Sequence, residues 1–129
     1  MFEFKYDHIH LKSPDPEKTA KYYERMFGAE ILRLFYSDGE ARIGIKLGGV
    51  LFYISDTRGK PTGTSSPDRP YWGMEHIGLI VDDVDAAAVA LKAKGAVFSE
   101  EPHSPKPGVR NFYILGPENV HIEVINRDS

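Results

Sequence analysis

The chain contains no cysteine at all. This absence excludes disulfide bonds and thiolate ligands, so any metal ion must be held by nitrogen and oxygen donors. No apolar run approaches the ~18 residues that a membrane-spanning helix requires. The first residues also lack a basic stretch followed by an apolar one, so we expect no secretion signal and no membrane partner. In the absence of a signal, we expect a cytoplasmic protein.

Positive charge is not in excess either, because 16 lysines and arginines stand against 19 aspartates and glutamates, for a net charge of −3. Charges of both signs are interspersed, which gives no basic face for nucleic acid, and we expect no such partner. A chain of 129 residues with 41% hydrophobic content is one ordinary domain, or a domain made of two repeats that cannot each bury a core alone.

The sequence does contain an internal repeat. The segment 7–11 (DHIHL) recurs as 75–79 (EHIGL), and each copy is followed by an aspartate, Asp15 or Asp83. Each aspartate is a good helix N-cap, and each helix-like stretch ends near a Gly-Ala pair. A histidine at the same place in both halves puts two imidazoles at equivalent points of the fold, which is how a pseudo-twofold metal site begins.

The repeat predicts an α+β fold of two tandem βαβββ modules, with the helices outside a curved, mostly antiparallel sheet. Module 1 is expected at about 1–56, a Gly-, Pro-, Ser- and Thr-rich linker at about 57–73, and module 2 at about 74–129. The predicted strands are 5–12, 29–37, 41–47, 50–55, 75–81, 96–100, 109–115 and 120–126. The remaining predictions are a helix from Asp15 to Gly28, a helix over 84–94, turns at Asp38-Gly39 and Gly48-Gly49, and an irregular loop over 101–108.

Strand alternation places several candidate side chains on shared faces. Residues two apart along a strand point the same way, so His8, His10 and Lys12 are expected on one face. By the same rule His121 and Glu123 share a face of the last strand. Any of these histidines can serve as a metal ligand, a proton carrier or a hydrogen-bonded core residue.

An alignment of the two halves identifies one position at which the repeat is not kept. The segment 49–54 (GVLFYI) aligns with 119–124 (NVHIEV), which places Tyr53 where the second half has Glu123. The histidines that fall on strands and can converge with this carboxylate are His8, His10, His76 and His121. Two histidines and one carboxylate form the facial triad that holds Fe(II) and other divalent metals with open positions for water, substrate or dioxygen.

A set of short motifs carries a resemblance to a known family. They are His8-Ile9-x-Leu11 with Asp15, Tyr22-Tyr23, Phe27-Gly28, His76-Ile77-Gly78-Leu79 with Asp83, and Phe112-Tyr113 with Gly116-Pro117-Glu118-Asn119 running to Glu123. Over essentially its whole length the chain resembles the vicinal oxygen chelate superfamily, which includes glyoxalase I, methylmalonyl-CoA epimerase, fosfomycin-resistance enzymes, bleomycin-resistance proteins and extradiol dioxygenases. The resemblance implies that two modules enclose one divalent metal ion.

Carried over by this resemblance, the metal ligands are His8, His76 and Glu123, and Tyr53 occupies the place of a fourth ligand. Glyoxalase I and the epimerase have Glu or Gln there. A phenol with an ordinary pKa of about 10 is a poor ligand at neutral pH, so we expect Tyr53, together with Lys12, to bind substrate. Three ligands are then expected for one ion of Fe, Mn, Ni, Co or Zn.

The resemblance also implies that a nearby histidine or tyrosine moves a proton, and the candidates are Tyr113, His10 and His121. Tyr113 is similar to the tyrosine of the extradiol dioxygenase signature. A four-residue turn after that strand would place Tyr113 opposite Ile122, whereas a bulge or a five-residue turn would place it on the side of Glu123.

Several functions stay open at this point. Dioxygenase-like chemistry on a small substrate with vicinal oxygens is slightly favoured over a glyoxalase I- or epimerase-like isomerase or lyase. Thiol addition to an epoxide also fits three ligands, but it ranks lower because that branch normally has a small hydroxyl residue where His10 stands. A metal-free, ligand-sequestering protein of the bleomycin-resistance type is the alternative of another class. We expect a homodimer, with the site either within one chain or shared by a swapped pair.

Overall fold

The chain folds into two compact units, Met1–Thr62 and Gly63–Ser129. The computed structural model describes residues 3, 5–35, 41–57, 63, 65–69 and 71–127. Within these described residues, each unit has one α-helix and one four-stranded sheet of mixed direction. The predicted α+β class with two similar βαβββ modules is therefore confirmed.

The first unit is built from four strands and one helix in the order βαβββ. Its elements are β1 (His8–Lys12), α1 (Pro16–Phe27), β2 (Glu30–Phe35), β3 (Ala41–Leu47) and β4 (Val50–Ser55). The strand order in the sheet is β1-β4-β3-β2. β1 pairs with β4 in parallel, and the other two pairings are antiparallel.

Helix α1 begins and ends where its sequence dictates. The Asp15 carboxylate accepts a hydrogen bond from the backbone N–H of Lys18 at 3.1 Å, which satisfies a donor that the first turn leaves free. Gly28 ends the helix in the left-handed conformation, with φ of 71°, and its N–H donates to the carbonyl of Glu24 at 2.9 Å. The helix buries residues against the sheet, namely Thr19, Ala20, Tyr23 and Met26.

The second unit repeats this order. Its elements are β5 (His76–Ile80), α2 (Val84–Ala93), β6 (Val97–Lys106), β7 (Val109–Leu115) and β8 (His121–Arg127). The strand order is β5-β8-β7-β6, again with the first pair parallel and the others antiparallel. Asp83 caps α2 as Asp15 caps α1, because its carboxylate accepts from the N–H of Ala86 at 3.0 Å.

Each sheet has an apolar face on the helix side and an opposite face that carries polar groups. In the second unit the buried side chains of the helix-side core are Val84, Ala88, Leu91, Phe112, Ile114, Ile122 and Val124. In the first unit they include Ala20, Tyr23, Met26, Ile43, Ile45, Phe52 and Ile54. Alternation along each strand therefore sends every second residue to the polar face.

One predicted loop is wrong. Residues 101–108, expected to be irregular, belong up to Lys106 to the strand β6, which pairs with β7 through three register irregularities. The predicted turn at Gly48-Gly49 is observed with both φ angles positive, whereas the predicted Asp38-Gly39 turn lies outside the described residues. No helix among the described residues is long and apolar enough to cross a membrane.

Candidate functional site

The polar face of the second unit has one row of paired residues across all four strands, with side chains from three of them. The register pairs Glu100 with Tyr113, Tyr113 with Glu123, and Glu123 with Gly78. Residues 116–120 form a five-residue connection, since Leu115 is opposite His121. The connection thus places Tyr113 on the same face as Glu123, rather than opposite Ile122.

His76 and Glu123 form the centre of this face. The imidazole Nε2 of His76 lies 3.3 Å from Oε1 of Glu123. The Glu123 side chain is only 12% exposed, and the amide of Asn111 donates to its second oxygen, Oε2, at 2.8 Å. A carboxylate that is mostly buried needs such partners, because an unpaired charge in this environment is costly.

Each of the two repeat histidines is held by the acidic residue that precedes it. Nδ1 of His76 lies 3.0 Å from the carboxylate of Glu75, and Nδ1 of His8 lies 2.6 Å from the carboxylate of Asp7. The hydrogen bond from His76 is the largest cause that lowers the pKa of Glu75 below its usual value, so this carboxylate is ionised at neutral pH. A carboxylate on Nδ1 fixes the ring and leaves Nε2 as the ligand nitrogen, as in many metal-binding histidines.

These residues fit two of the ligands of a divalent metal. Imidazole nitrogen and carboxylate oxygen are the donors that such ions prefer when cysteine is absent, and Nε2 of His76 and Oε1 of Glu123 are near enough to share one ion. No group of three or more His, Asp or Glu side chains that could hold a metal is present in the described part of the chain.

The polar face of the first unit gathers the other predicted residues. The His8 and Tyr53 rings lie 4.5 Å apart between centroids, and His10 is paired with Tyr53 in the sheet register. Nε2 of His10 is 2.6 Å from the hydroxyl of the fully buried Ser55, to which the Lys12 ammonium also donates at 2.9 Å. Because the ammonium can only donate, the hydroxyl keeps its own proton available for His10.

His121 differs from the other predicted site residues because it is completely buried, with 0% exposure. Its Nε2 donates to the carbonyl of Ser66 at 2.6 Å, and its Nδ1 has no hydrogen-bond partner among the described residues. The ring therefore holds the segment that precedes β5 against the sheet.

Tyr113 stands beside the His76–Glu123 centre. Its ring meets the His76 ring edge-on, with centroids 5.3 Å apart. Burial raises the pKa of the Tyr113 hydroxyl above its ordinary value of 10.0, Arg69 opposes this rise, and the negative charge of Glu123 adds to it. At neutral pH Tyr113 is therefore a neutral O–H donor.

Arg69 is a site residue that the sequence analysis missed. Its guanidinium lies over the Tyr113 ring, 3.8 Å from the centroid, and it forms ion pairs with Glu75 at 3.3 Å and Glu100 at 3.2 Å. Together these residues line part of a cleft of about 610 Å³ in the second unit. The Gly- and Pro-rich composition of its segment indicated a linker, and only the charged and aromatic residues at 68–72 could have signalled a site.

The chain is similar to known proteins over most of its length. A family model described as the Glyoxalase/Bleomycin resistance protein/Dioxygenase superfamily matches residues 5–124. Lactoylglutathione lyase of Schizosaccharomyces pombe is 25% identical over 100% of this chain, and a 4-hydroxyphenylpyruvate dioxygenase-like protein of Mus musculus is 26% identical over 74% of it. The chain spans 49% and 26% of the lengths of these two proteins.

The solved structure of a glyoxalase family protein from Enterococcus faecalis is similar in fold, with a TM-score of 0.75 and 19% sequence identity. The alignment covers 98% of this chain and 100% of that one. At this identity the likeness supports the fold of the two modules and leaves the reaction to be argued from the site.

Proposed function

Because the chain belongs to the Glyoxalase/Bleomycin resistance protein/Dioxygenase superfamily, we propose that it is a divalent-metal-dependent enzyme whose small substrate carries two vicinal oxygens. The observation that carries this proposal is the distance of 3.3 Å between Nε2 of His76 and the mostly buried carboxylate of Glu123. We propose His8 as the third ligand, since it has the equivalent place in the repeat and the same hydrogen bond from Nδ1 to a preceding carboxylate.

A divalent ion held by these residues would supply Lewis-acid activation of the substrate oxygens. The protein itself holds the donors in place. Glu75 orients the ring of His76, and the Asn111 amide holds one oxygen of Glu123, which keeps the other on the side of the imidazole. Tyr113 offers an O–H donor beside this pair, and we propose that it holds or donates a proton to a substrate oxygen.

The first unit would supply contacts to the substrate. His10 and Lys12 lie on one face of β1 with Tyr53 beside them on β4, and we propose His10 for proton transfer and Lys12 and Tyr53 for substrate binding. His121 is proposed to anchor residues 65–69 instead, because a proton transfer at its Nε2 would break the hydrogen bond to Ser66.

A dioxygenase-like reaction is the preferred form of this proposal. It is supported by the three-ligand set without Tyr53 and by the position of Tyr113 opposite Glu123 in the β7–β8 ladder. A lyase or isomerase is the second candidate, favoured by the relative named lactoylglutathione lyase, whose similarity extends over the whole chain.

Members of this superfamily act on small molecules and often form dimers. We extend both properties to this chain as proposals, so the expected assembly is a homodimer. A cytoplasmic location stays a prediction of the sequence.

Metal binding is the first test. Untagged protein stripped with a chelator is titrated with Fe²⁺, Mn²⁺, Ni²⁺, Co²⁺ or Zn²⁺ by calorimetry, and at least one ion should bind at one equivalent. His8→Ala, His76→Ala and Glu123→Gln should abolish this binding, whereas Tyr53→Phe should retain it. Glu101→Gln is the matched control, because this carboxylate pairs with Lys92 away from the site.

The outcome separates the classes of function. A protein that binds none of the five ions is not a metalloenzyme of this kind, and the sequestering alternative then gains support. If Tyr53→Phe alone abolished binding, the proposed ligand set would be wrong. For a protein that binds metal, anaerobic reconstitution and a screen of diphenols, α-ketoaldehyde–thiol adducts and acyl-CoA epimers distinguishes the dioxygenase from the lyase or isomerase.

A further inference from the structure

Arg69 contacts three residues that surround the His76–Glu123 centre, and its contacts do not include His76 or Glu123. It stacks on the Tyr113 ring at 3.8 Å, and it bridges Glu75 and Glu100 at 3.3 and 3.2 Å. The Arg69 side chain is only 17% exposed, whereas its partners Glu75 and Glu100 are 33% and 43% exposed. The arginine is thus held at the half-open side of the cleft, where geometry rather than charge strength is its main contribution.

The contacts of Arg69 form a continuous path to a proposed ligand. The carboxylate oxygen Oε1 of Glu75 is shared between the guanidinium, at 3.3 Å, and Nδ1 of His76, at 3.0 Å. The other side of the guanidinium is fixed by Glu100, which is opposite Tyr113 in the β6–β7 ladder. Movement of Arg69 would therefore free Glu75 on one side and the Tyr113 ring on the other.

We propose that Arg69 is a positioning residue, which sets the orientation of His76 through Glu75 and the place of Tyr113 by lying on its ring. This inference rests on the proposed metal site and adds a residue from outside the repeat to it. A planar guanidinium can bridge two carboxylates while it lies flat on an aromatic ring, whereas a lysine ammonium is a point charge and cannot do both.

The direction in which metal affinity changes when Arg69 is replaced distinguishes a positioning role from a purely electrostatic one. Removal of a positive charge beside a cation site should raise the affinity for a divalent ion, since like charges repel. Loss of the partner directly behind a ligand, which is the place of Glu75, typically lowers metal affinity about 10- to 100-fold. Arg69 acts one step further out, so its loss should give an effect at the lower end of this range. If Arg69→Gln binds the ion more weakly, the change in affinity is therefore opposite to the one that removal of the positive charge would cause.

The test measures Co²⁺ affinity of the full chain by calorimetry and by the visible absorption of the bound ion. We expect Arg69→Gln to bind Co²⁺ about 10-fold more weakly than the wild type, and Arg69→Lys to lose nearly as much although it keeps the charge. Arg110→Gln is the matched control, because the Arg110 guanidinium donates to the carboxylate of Asp85 at 2.7 Å and takes no part in the contacts of Glu75. It should stay within about twofold of the wild type.

A double-mutant cycle with Glu75→Gln tests the route. If Arg69 acts through Glu75, then Arg69→Gln should cause no further loss in the Glu75→Gln background. An equal loss in both backgrounds, or unchanged or tighter Co²⁺ binding in Arg69→Gln alone, would overturn the inference and leave the metal proposal intact. If the wild-type protein bound neither Co²⁺ nor any of the other four ions, both the metal proposal and the role of Arg69 would be overturned. Urea midpoints of all variants verify that each has folded.

Discussion

Phe112 and Tyr113 are neighbours in the sequence, yet their truncation should have very different effects on stability. Phe112 points to the helix side of the sheet, where it is 0% exposed and stacks on Phe98 with ring centroids 5.0 Å apart. Truncation of a fully buried phenylalanine to alanine costs about 3–5 kcal/mol. This is a large part of the 5–15 kcal/mol that typically separates folded from unfolded protein.

Tyr113 points to the polar face and is partly exposed. About half the burial energy of a large apolar side chain, roughly 0.8–1.5 kcal/mol, together with a cation–π contact worth roughly 0.5–1 kcal/mol, gives a cost of about 1.3–2.5 kcal/mol for Tyr113→Ala. Tyr113→Phe keeps the ring and the contact with Arg69, so it should stay within about 0.5 kcal/mol of the wild type.

Urea unfolding followed by far-UV circular dichroism measures these differences as shifts of the midpoint at constant slope. Phe112→Leu, which keeps a large apolar side chain and should therefore lose less than Phe112→Ala, keeps the comparison possible if Phe112→Ala does not fold. The reasoning would be refuted by a Tyr113→Ala variant as unstable as Phe112→Ala, because the two faces of β7 would then not differ as described.

Three further predictions concern caps, charges and backbone strain. Asp15→Ala and Asp83→Ala should each cost about 0.5–2 kcal/mol in urea unfolding, because each removes an N-cap acceptor, and the asparagine variants should lose less. The hydrogen bond from Arg110 lowers the pKa of Asp85 below 3.8, so this pair stabilises the fold above about pH 4 and its contribution is lost as the pH falls through the lowered value. The stability difference between wild type and Arg110→Gln should therefore shrink between pH 5 and pH 2 in urea midpoints, and a constant difference would contradict the assignment. Glu118 has φ of 58°, a conformation that glycine adopts without steric cost. Glu118→Gly should therefore raise the free energy of unfolding by up to about 1 kcal/mol, whereas Glu118→Ala should not raise it.

The parts of the fold that local chemistry determines were predictable from the sequence. Aspartate caps and glycine ends gave both helices nearly to the residue, because unsatisfied backbone groups at helix ends select few side chains. Apolar alternation gave the strands, since one face of each must be buried. The common order of elements in the two units follows from these signals applied twice.

The strand β6 was not predictable in the same way. Pro102 and Pro105 argue against a strand, and the segment 101–108 was therefore expected to be a loop. β6 is the edge strand of its sheet and contains three register irregularities. An edge strand tolerates proline because one row of its N–H groups needs no partner. Local sequence does not tell which strand will lie at an edge, so tertiary context decided this segment.

The position of Arg69 also depended on tertiary structure. A lone arginine in a Gly- and Pro-rich stretch gives no periodic signal, and its contacts with Glu75, Glu100 and Tyr113 come from three separate segments. His76 and Glu123, by contrast, lie on strands, where alternation and the repeat indicated that they could converge, and the family resemblance then singled out this pair. Residues on regular elements could be assigned to a face from sequence, whereas residues on connecting segments could not.

In their paired first and last strands, the two units agree on the helix side and differ on the polar face. At helix-side positions both halves have apolar residues, as the register shows for the pairs Ile9–Phe52, Leu11–Ile54, Ile77–Ile122 and Leu79–Val124. Packing against a helix is sufficient reason for this agreement, because each sheet must bury that face. On the polar face Tyr53 stands where the other unit has Glu123, so no common packing rule applies there. His8 and His76 nevertheless agree, although His8 is exposed and burial gives no reason to keep an imidazole at that place. The proposed metal binding would give such a reason, and Tyr53 in the place of Glu123 would then limit the protein ligands to three.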